Sequence, residues 1–182
     1  RSARPEEGSW IALAFDPHGR LTLSGEKKGL LRLTLDSVGV AKVEVINDTL
    51  LECRGLLYAH GALYANANNS KTLVRLRDTK GTGQFDELTE LLKTEGGVGH
   101  GRNHLKLGPD GWLWIAHGNN VQLPKNISTN SPLRNFAHDR LIPCPWDAGM
   151  FDGDVALPAG HILRMKPDGS EVQLWAGGLR KT

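Results

Sequence analysis

Apolar positions along the chain come in short runs that alternate with polar ones, which predicts strands rather than helices. Trp10–Phe15 (WIALAF), Leu21–Ser24, Leu30–Leu35 (LLRLTL) and Val40–Ile46 (VAKVEVI) read as four consecutive strands after a polar, frayed terminus. Asp16-Pro17-His18-Gly19 separates the first two as a turn, with proline setting φ and glycine accepting positive φ. Further along, Leu105 and Leu107 are alternate apolar positions on one strand. Gly108-Pro109-Asp110-Gly111 is the turn, and the aromatic, β-branched run Trp112–Ile115 is the returning strand.

The pattern repeats. The stretch around Asp16-Pro17-His18-Gly19 is echoed by Ala59-His60-Gly61 and by Gly108-Pro109-Asp110-Gly111, and the turn glycines stand about forty to fifty residues apart. The strand after each hairpin recurs as LLRL at Leu30, LVRL at Leu73 and ILRM at Ile162, the last delayed by a long insertion over 121–160. A period of this length carrying four short strands is the signature of propeller blades. The expected fold is all-β, a partial β-propeller of about three four-stranded blades over 9–50, 51–95 and 96–182. Propellers hide their sheet edges by closing a ring, commonly of four to eight blades, so three blades imply a fragment of one larger domain.

Composition narrows the classes. Twenty-two glycines and nine prolines suit a turn-rich chain, and a net charge of +2 without basic clusters offers no electrostatic footprint for nucleic acid. No apolar run is long enough for a transmembrane helix. Cys53 and Cys144 stand alone without metal or haem spacing and read as buried thiols, although a disulfide between them is open to sequence. The proline-rich insertion would leave the third blade at one rim, where it either covers a pocket or packs as a plain loop.

Three stretches carry candidate chemistry. Asp78 to Glu87 (DTKGTGQFDE) has the look of a calcium loop, but Lys80 occupies a ligand position, so a glycine-rich hairpin loop is the better reading. His100 and His104 stand four apart, a metal spacing on a helix. Gly96, Gly97, Gly99 and Gly101 argue against a helix there, and no second ligand pair is evident. A loop histidine also titrates near neutrality and can take a proton from an alcohol as hydride leaves, or it is simply satisfied by loop hydrogen bonds. The run from Gly96 to Asn120 therefore holds the strongest candidates.

Within it, Gly99-His100-Gly101-Arg102-Asn103-His104-Leu105-Lys106-Leu107-Gly108-Pro109-Asp110-Gly111 resembles the central motif of the glucose/sorbosone dehydrogenase family, the soluble quinoprotein sugar dehydrogenases. These are six-bladed propellers that bind pyrroloquinoline quinone (PQQ) on one face. The resemblance implies that His100, eight residues before the glycine of the GPD turn, is the base that deprotonates a sugar hydroxyl while hydride moves to the quinone. Asn119 stands where the family has an acid, and Arg180, in Gly178-Leu179-Arg180, matches an arginine that contacts the quinone; both are implied cofactor residues. Arg102 and His104 are implied to line the substrate pocket.

The fuller match is to large planctomycete proteins whose membrane-bound dehydrogenase-type propeller precedes helical repeats and a c-type haem domain. GHILRMKPDGSEVQLWAGGLR carries that likeness. The resemblance implies a bacterial, periplasmic or otherwise extracytoplasmic PQQ-dependent dehydrogenase acting on a sugar or alcohol. Electrons would pass to a haem domain or another acceptor. The calcium that accompanies the quinone would be held by blades beyond this chain, with no metal site in the chain itself, and the isolated fragment is expected to be inactive. The alternative is a non-catalytic propeller that binds carbohydrate or a protein partner on the same face. A metal-dependent lactonase on a similar propeller would need an inward-facing acidic ligand set that the sequence does not assemble.

Overall fold

The computed structural model describes residues 2–134 and 158–179. Twelve strands form three four-stranded antiparallel sheets, and no helix occurs among the described residues. None is therefore long and apolar enough there to cross a membrane. The first sheet is β1 (Trp10–Phe15), β2 (Leu21–Gly25), β3 (Leu30–Leu35) and β4 (Val40–Asn47), paired in chain order. The middle sheet is β5 (Cys53–Ala59), β6 (Ala62–Ala67), β7 (Thr72–Arg77) and β8 (Glu87–Lys93). The third is β9 (Arg102–Leu107), β10 (Leu113–His117), β11 (Gly160–Met165) and β12 (Val172–Leu179). β5 packs against both β1 and β9, so the first strand of each sheet lines one axis. This is the propeller arrangement expected of the repeats.

Burial explains why the strands differ. The middle sheet is covered on both sides, and every residue of β6 is buried. One apolar cluster, including Leu30, Ile46, Leu63, Val74 and Leu76, fills the space between the first and middle sheets. A second, including Tyr64, Leu73, Leu105, Ile115, Leu163 and Leu174, joins the middle and third sheets. β1 is covered on one side only, and its alternate residues Ile11, Leu13 and Phe15 are exposed. Cys53 lies inside the first cluster, and burial pushes its thiol up to about 12, which makes it a packing group rather than a nucleophile. Cys144 lies outside the described residues.

The two ends of the sheets carry different connections. At one end are the tight turns. Gly111 adopts φ of +78° and donates to the Gly108 carbonyl at 3.0 Å, closing the β9–β10 turn as the Gly-Pro-Asp-Gly motif requires. The Asp78–Glu87 stretch belongs to the same end and forms the β7–β8 loop. Asp78 accepts from the amides of Thr82 and Gly83, Asp86 accepts from Thr79, and Lys80 lies 3.6 Å from Asp86. Its carboxylates are occupied by the loop itself. At the other end are the β8–β9 connection, the β6–β7 turn and the start of the insertion, and there the candidate residues gather.

Candidate functional site

The β8–β9 connection has almost no apolar side chains to hold it, so polar groups do the work. Residues 96–101 run beside residues 118–122 as a short unpleated pair. Gly118 donates to the Gly101 carbonyl at 2.8 Å, Asn120 to the His100 carbonyl at 3.1 Å, and Gly97 to the Asn120 carbonyl at 2.7 Å. The Asn120 side chain returns an acceptor to the His100 amide at 2.8 Å. The backbone of His100 is thus clamped on both sides by the strand that follows the Gly-Pro-Asp-Gly hairpin.

The clamp orients the imidazole. His100 is half-buried, and its Nδ1 lies 2.7 Å from Oδ1 of Asn119, a residue only 9 % exposed. An amide oxygen accepts, so Nδ1 carries a proton, and in the neutral ring the lone pair is then on Nε2. A neutral imidazole held in this tautomer is a proton acceptor aimed by its neighbour. The arrangement matches the base–orienter pair of many acid–base sites, with an amide in place of the usual carboxylate. The amide holds the tautomer without supplying the negative charge that would stabilise an imidazolium.

Arg102, expected in the substrate pocket, is instead fully buried beneath this loop. Its Nε donates to Thr94 Oγ1 at 2.7 Å, Nη1 to the carbonyls of Gly97 and Asn68, and Nη2 to those of Thr94 and Glu95. All five N–H donors are used within the chain, leaving none for a ligand. Burial pulls the guanidinium's proton affinity down, opposed by the charge of Glu95. The residue is a pin that ties the connection to the β6–β7 turn. His104 is exposed on β9, in the strand rather than in the loop that holds His100. Arg180 lies outside the described residues, as does most of the 121–160 insertion.

The structure adds groups that the sequence did not single out. Asn68, buried in the β6–β7 turn, accepts from the Arg102 amide at 2.8 Å. Its Nδ2 donates to the Val98 carbonyl and to Glu52. Glu52 also holds Arg54, whose Nη1 reaches the Gly99 carbonyl at 3.0 Å. Gly101 is required at this crossing, because a Cβ there would overlap the Asn68 amide. The polar run Asn66-Ala67-Asn68-Asn69 at the end of an otherwise apolar strand was the available signal. A second addition is His161, opposite His117 in the β10–β11 register. His117 Nδ1 and His161 Nε2 are 3.1 Å apart, and His161 Nδ1 lies 3.0 Å from the Ala159 carbonyl. Both rings are buried. Burial lowers the pKa of each, and for His117 the charges of His161 and Arg102 add to the effect.

Among the described residues, no group of three or more His, Cys, Asp or Glu side chains is placed to hold a metal ion. The donor set at His100 fits a quinone cofactor in one respect. Oxidation of an alcohol by a hydride acceptor calls for a proton acceptor beside the hydroxyl, and a neutral His100 ring with Nδ1 held by Asn119 has the chemistry such a group would need.

No family model matches the sequence, and no curated protein matches it. Solved structures do match the fold. The PQQ domain of pyranose dehydrogenase from Coprinopsis cinerea, in its holo form, aligns with a TM-score of 0.65 at 15% identity, covering 96% of this chain and 40% of that one. The PQQ-bound aldose sugar dehydrogenase of Streptomyces coelicolor aligns at 0.50 and 20% identity, covering 89% of this chain and 46% of that one. A luciferin-regenerating enzyme aligns at 0.52 and 16% identity, covering 98% of this chain and 67% of that one. The chain spans less than half the length of the two sugar dehydrogenases. At these identities the likeness is one of fold: three sheets arranged as in quinoprotein sugar dehydrogenase domains.

Proposed function

We propose that the chain carries the proton-accepting part of a PQQ-dependent dehydrogenase site acting on a sugar or alcohol. The observation that carries this reading is the His100–Asn119 pair, 2.7 Å apart, on the loop end of a sheet stack shaped like PQQ domains. Nε2 of His100 takes the hydroxyl proton of the substrate, and Asn119 keeps the ring in the accepting tautomer as the proton arrives. PQQ, when bound, supplies the two-electron acceptor for the substrate's hydride. Arg180 is the residue of this chain assigned to the quinone's oxygens or carboxylates, through charge-assisted hydrogen bonds. Asn68, Arg54 and Arg102 hold the loop in place, which sets the position of His100 without touching substrate.

The wider setting belongs to the same proposal. The chain is part of a six-bladed ring in a longer, extracytoplasmic bacterial protein of the planctomycete type, with calcium held by the other blades. A c-type haem domain or another acceptor takes the electrons. Asn119 favours one second reading, a propeller that binds carbohydrate or a protein partner without oxidising it, because an amide stabilises an imidazolium less than a carboxylate does.

The test uses the longer protein loaded with PQQ and calcium. Absorbance titration measures quinone binding, and a dye-linked assay over a panel of sugars and alcohols measures turnover. His100→Ala is expected to lower turnover by roughly 10²–10⁴-fold with quinone binding retained. A folded protein that does not bind PQQ would overturn the dehydrogenase reading in favour of the binding propeller.

A further inference from the structure

The turn end of the sheets holds a second candidate site, independent of the dehydrogenase reading. An open cleft of about 310 Å³ lies between the first and middle sheets, lined by Asp16, Arg20, Arg32, Tyr58, His60 and Phe85 among others. Arg32 projects from β3 and is only 3% exposed. Its Nη1 donates to the Gly83 carbonyl, and its guanidinium lies 5.4 Å from the centre of the Phe85 ring. Its Nε is buried and has no hydrogen-bond partner. Buried donors are nearly always paired; Arg75 and Arg164 carry the same unpartnered Nε, but of the three only Arg32 lines the cleft.

The nearby carboxylates do not provide it. Asp16 is held by Arg20 at 2.6 Å and by the amides of His18 and Arg20. Asp78 accepts from the amides of Thr82 and Gly83. Glu44 stands opposite Arg32 in the β3–β4 register but gives its Oε1 to Lys42 and Gln84. Arg32 is therefore a buried cation with no close ion pair among the described residues, its charge acting at longer range on Glu44 across the β3–β4 pair. An arginine fork is shaped for a carboxylate or phosphate, and its weak hydration suits a partly enclosed site. Around it the cleft is larger than a bare oxyanion needs, and Phe85 and Tyr58 give it an aromatic wall. Tyr58 is fixed by a 2.7 Å hydrogen bond between its hydroxyl and that of Thr22.

We propose that this cleft binds a small organic oxyanion, a carboxylate or a phosphate ester, with Arg32 as its charge partner and the Phe85–Tyr58 wall against its uncharged body. The site lies at the end of the sheets away from His100, so its ligand is neither the quinone nor the substrate of the proposed reaction.

The full chain is titrated with phenyl phosphate, benzoate and the neutral analogue benzyl alcohol, reading the Gly83 amide and the Arg32 Nε–H by NMR. Saturable shifts with at least one anion and none with benzyl alcohol are expected. Preference for phenyl phosphate identifies a phosphate ligand, and preference for benzoate a carboxylate. Arg32→Met should weaken anion binding at least tenfold, and Arg32→Lys, which keeps charge without the fork, should weaken it less. No saturable shift with either anion in the folded wild type overturns the proposal whether or not the variants fold. Unchanged affinity in a folded Arg32→Met overturns it equally, as does equal binding of benzyl alcohol.

Discussion

At one end of the sheets the chain turns back within a few residues and closes each turn with its own groups, with a few ties between sheets or strands, such as His60 to the Gly111 carbonyl and Arg164 to Asp110. Asp16, Asp110 and Asp168 each accept the amide two residues ahead, and glycines close the turns. At the other end the β8–β9 connection is tied down from a distance. Asn68 is 34 residues from Arg102, Arg54 is 45 from Gly99, and His161 is 44 from His117. A turn closed mainly by its own amides depends less on remote groups, whereas a loop held mainly by remote side chains moves when any of them is lost. That interdependence lets the loop end hold an imidazole in one tautomer and one direction, as a catalytic or binding group requires.

The comparison can be broken most strongly at Arg102. Arg102→Met removes a buried cation that satisfies four carbonyls and the Thr94 hydroxyl, and is expected to cost about 4 kcal/mol. Urea unfolding measures it. A loss under 1 kcal/mol would mean that the loop does not depend on its remote pin.

Paired glycine substitutions sharpen the contrast. Gly101→Ala drives a methyl into the Asn68 amide and should cost about 3 kcal/mol. Gly111→Ala meets no backbone obstacle and suffers only its φ of +78°, costing about 1 kcal/mol. Equal losses would erase the difference between the two ends.

Acid should also separate them. His117 and His161 have folded-state pKa values below the ordinary 6.5, so the unfolded chain binds more protons below that pH. The stability they contribute is fully present above pH 6.5 and is lost as pH falls below it, by at most about 1.4 kcal/mol per pH unit for each ring. On the turn end Asp16 is lowered from 3.8. Burial works to raise it, but the hydrogen bonds from Arg20 and His18 and the Arg20 charge outweigh burial. Its contribution is present above its ordinary value and is lost only as pH falls below it. Thermal melts between pH 7 and 5 should therefore show a loss that His117→Gln reduces and Asp16→Asn does not.

At Asn119 the effect is expected on rate rather than on stability. Asn119→Asp converts a neutral hydrogen bond to His100 into a charge-assisted one. In the quinone-loaded longer protein it should raise turnover roughly tenfold. No rise would indicate that proton transfer does not limit the rate, or that the site is not catalytic.

The strands, the turns and the threefold repeat could be read from the linear pattern, because strand periodicity and turn chemistry are local properties. The same holds for the Asp78–Glu87 loop, whose lysine already argued against a cation. His100 and Asn119 were also legible as candidates, since they flank one hairpin and a hairpin fixes its own register. What only the tertiary structure decided was the direction each side chain takes. Arg102, next to Gly101, turns inward because carbonyls from two connections converge on it, and nothing in its immediate neighbours announces that. Asn68, His161 and Arg32 matter through partners 30 to 51 residues away, and such pairings are made by the stacking and pairing of strands rather than by any one stretch of sequence.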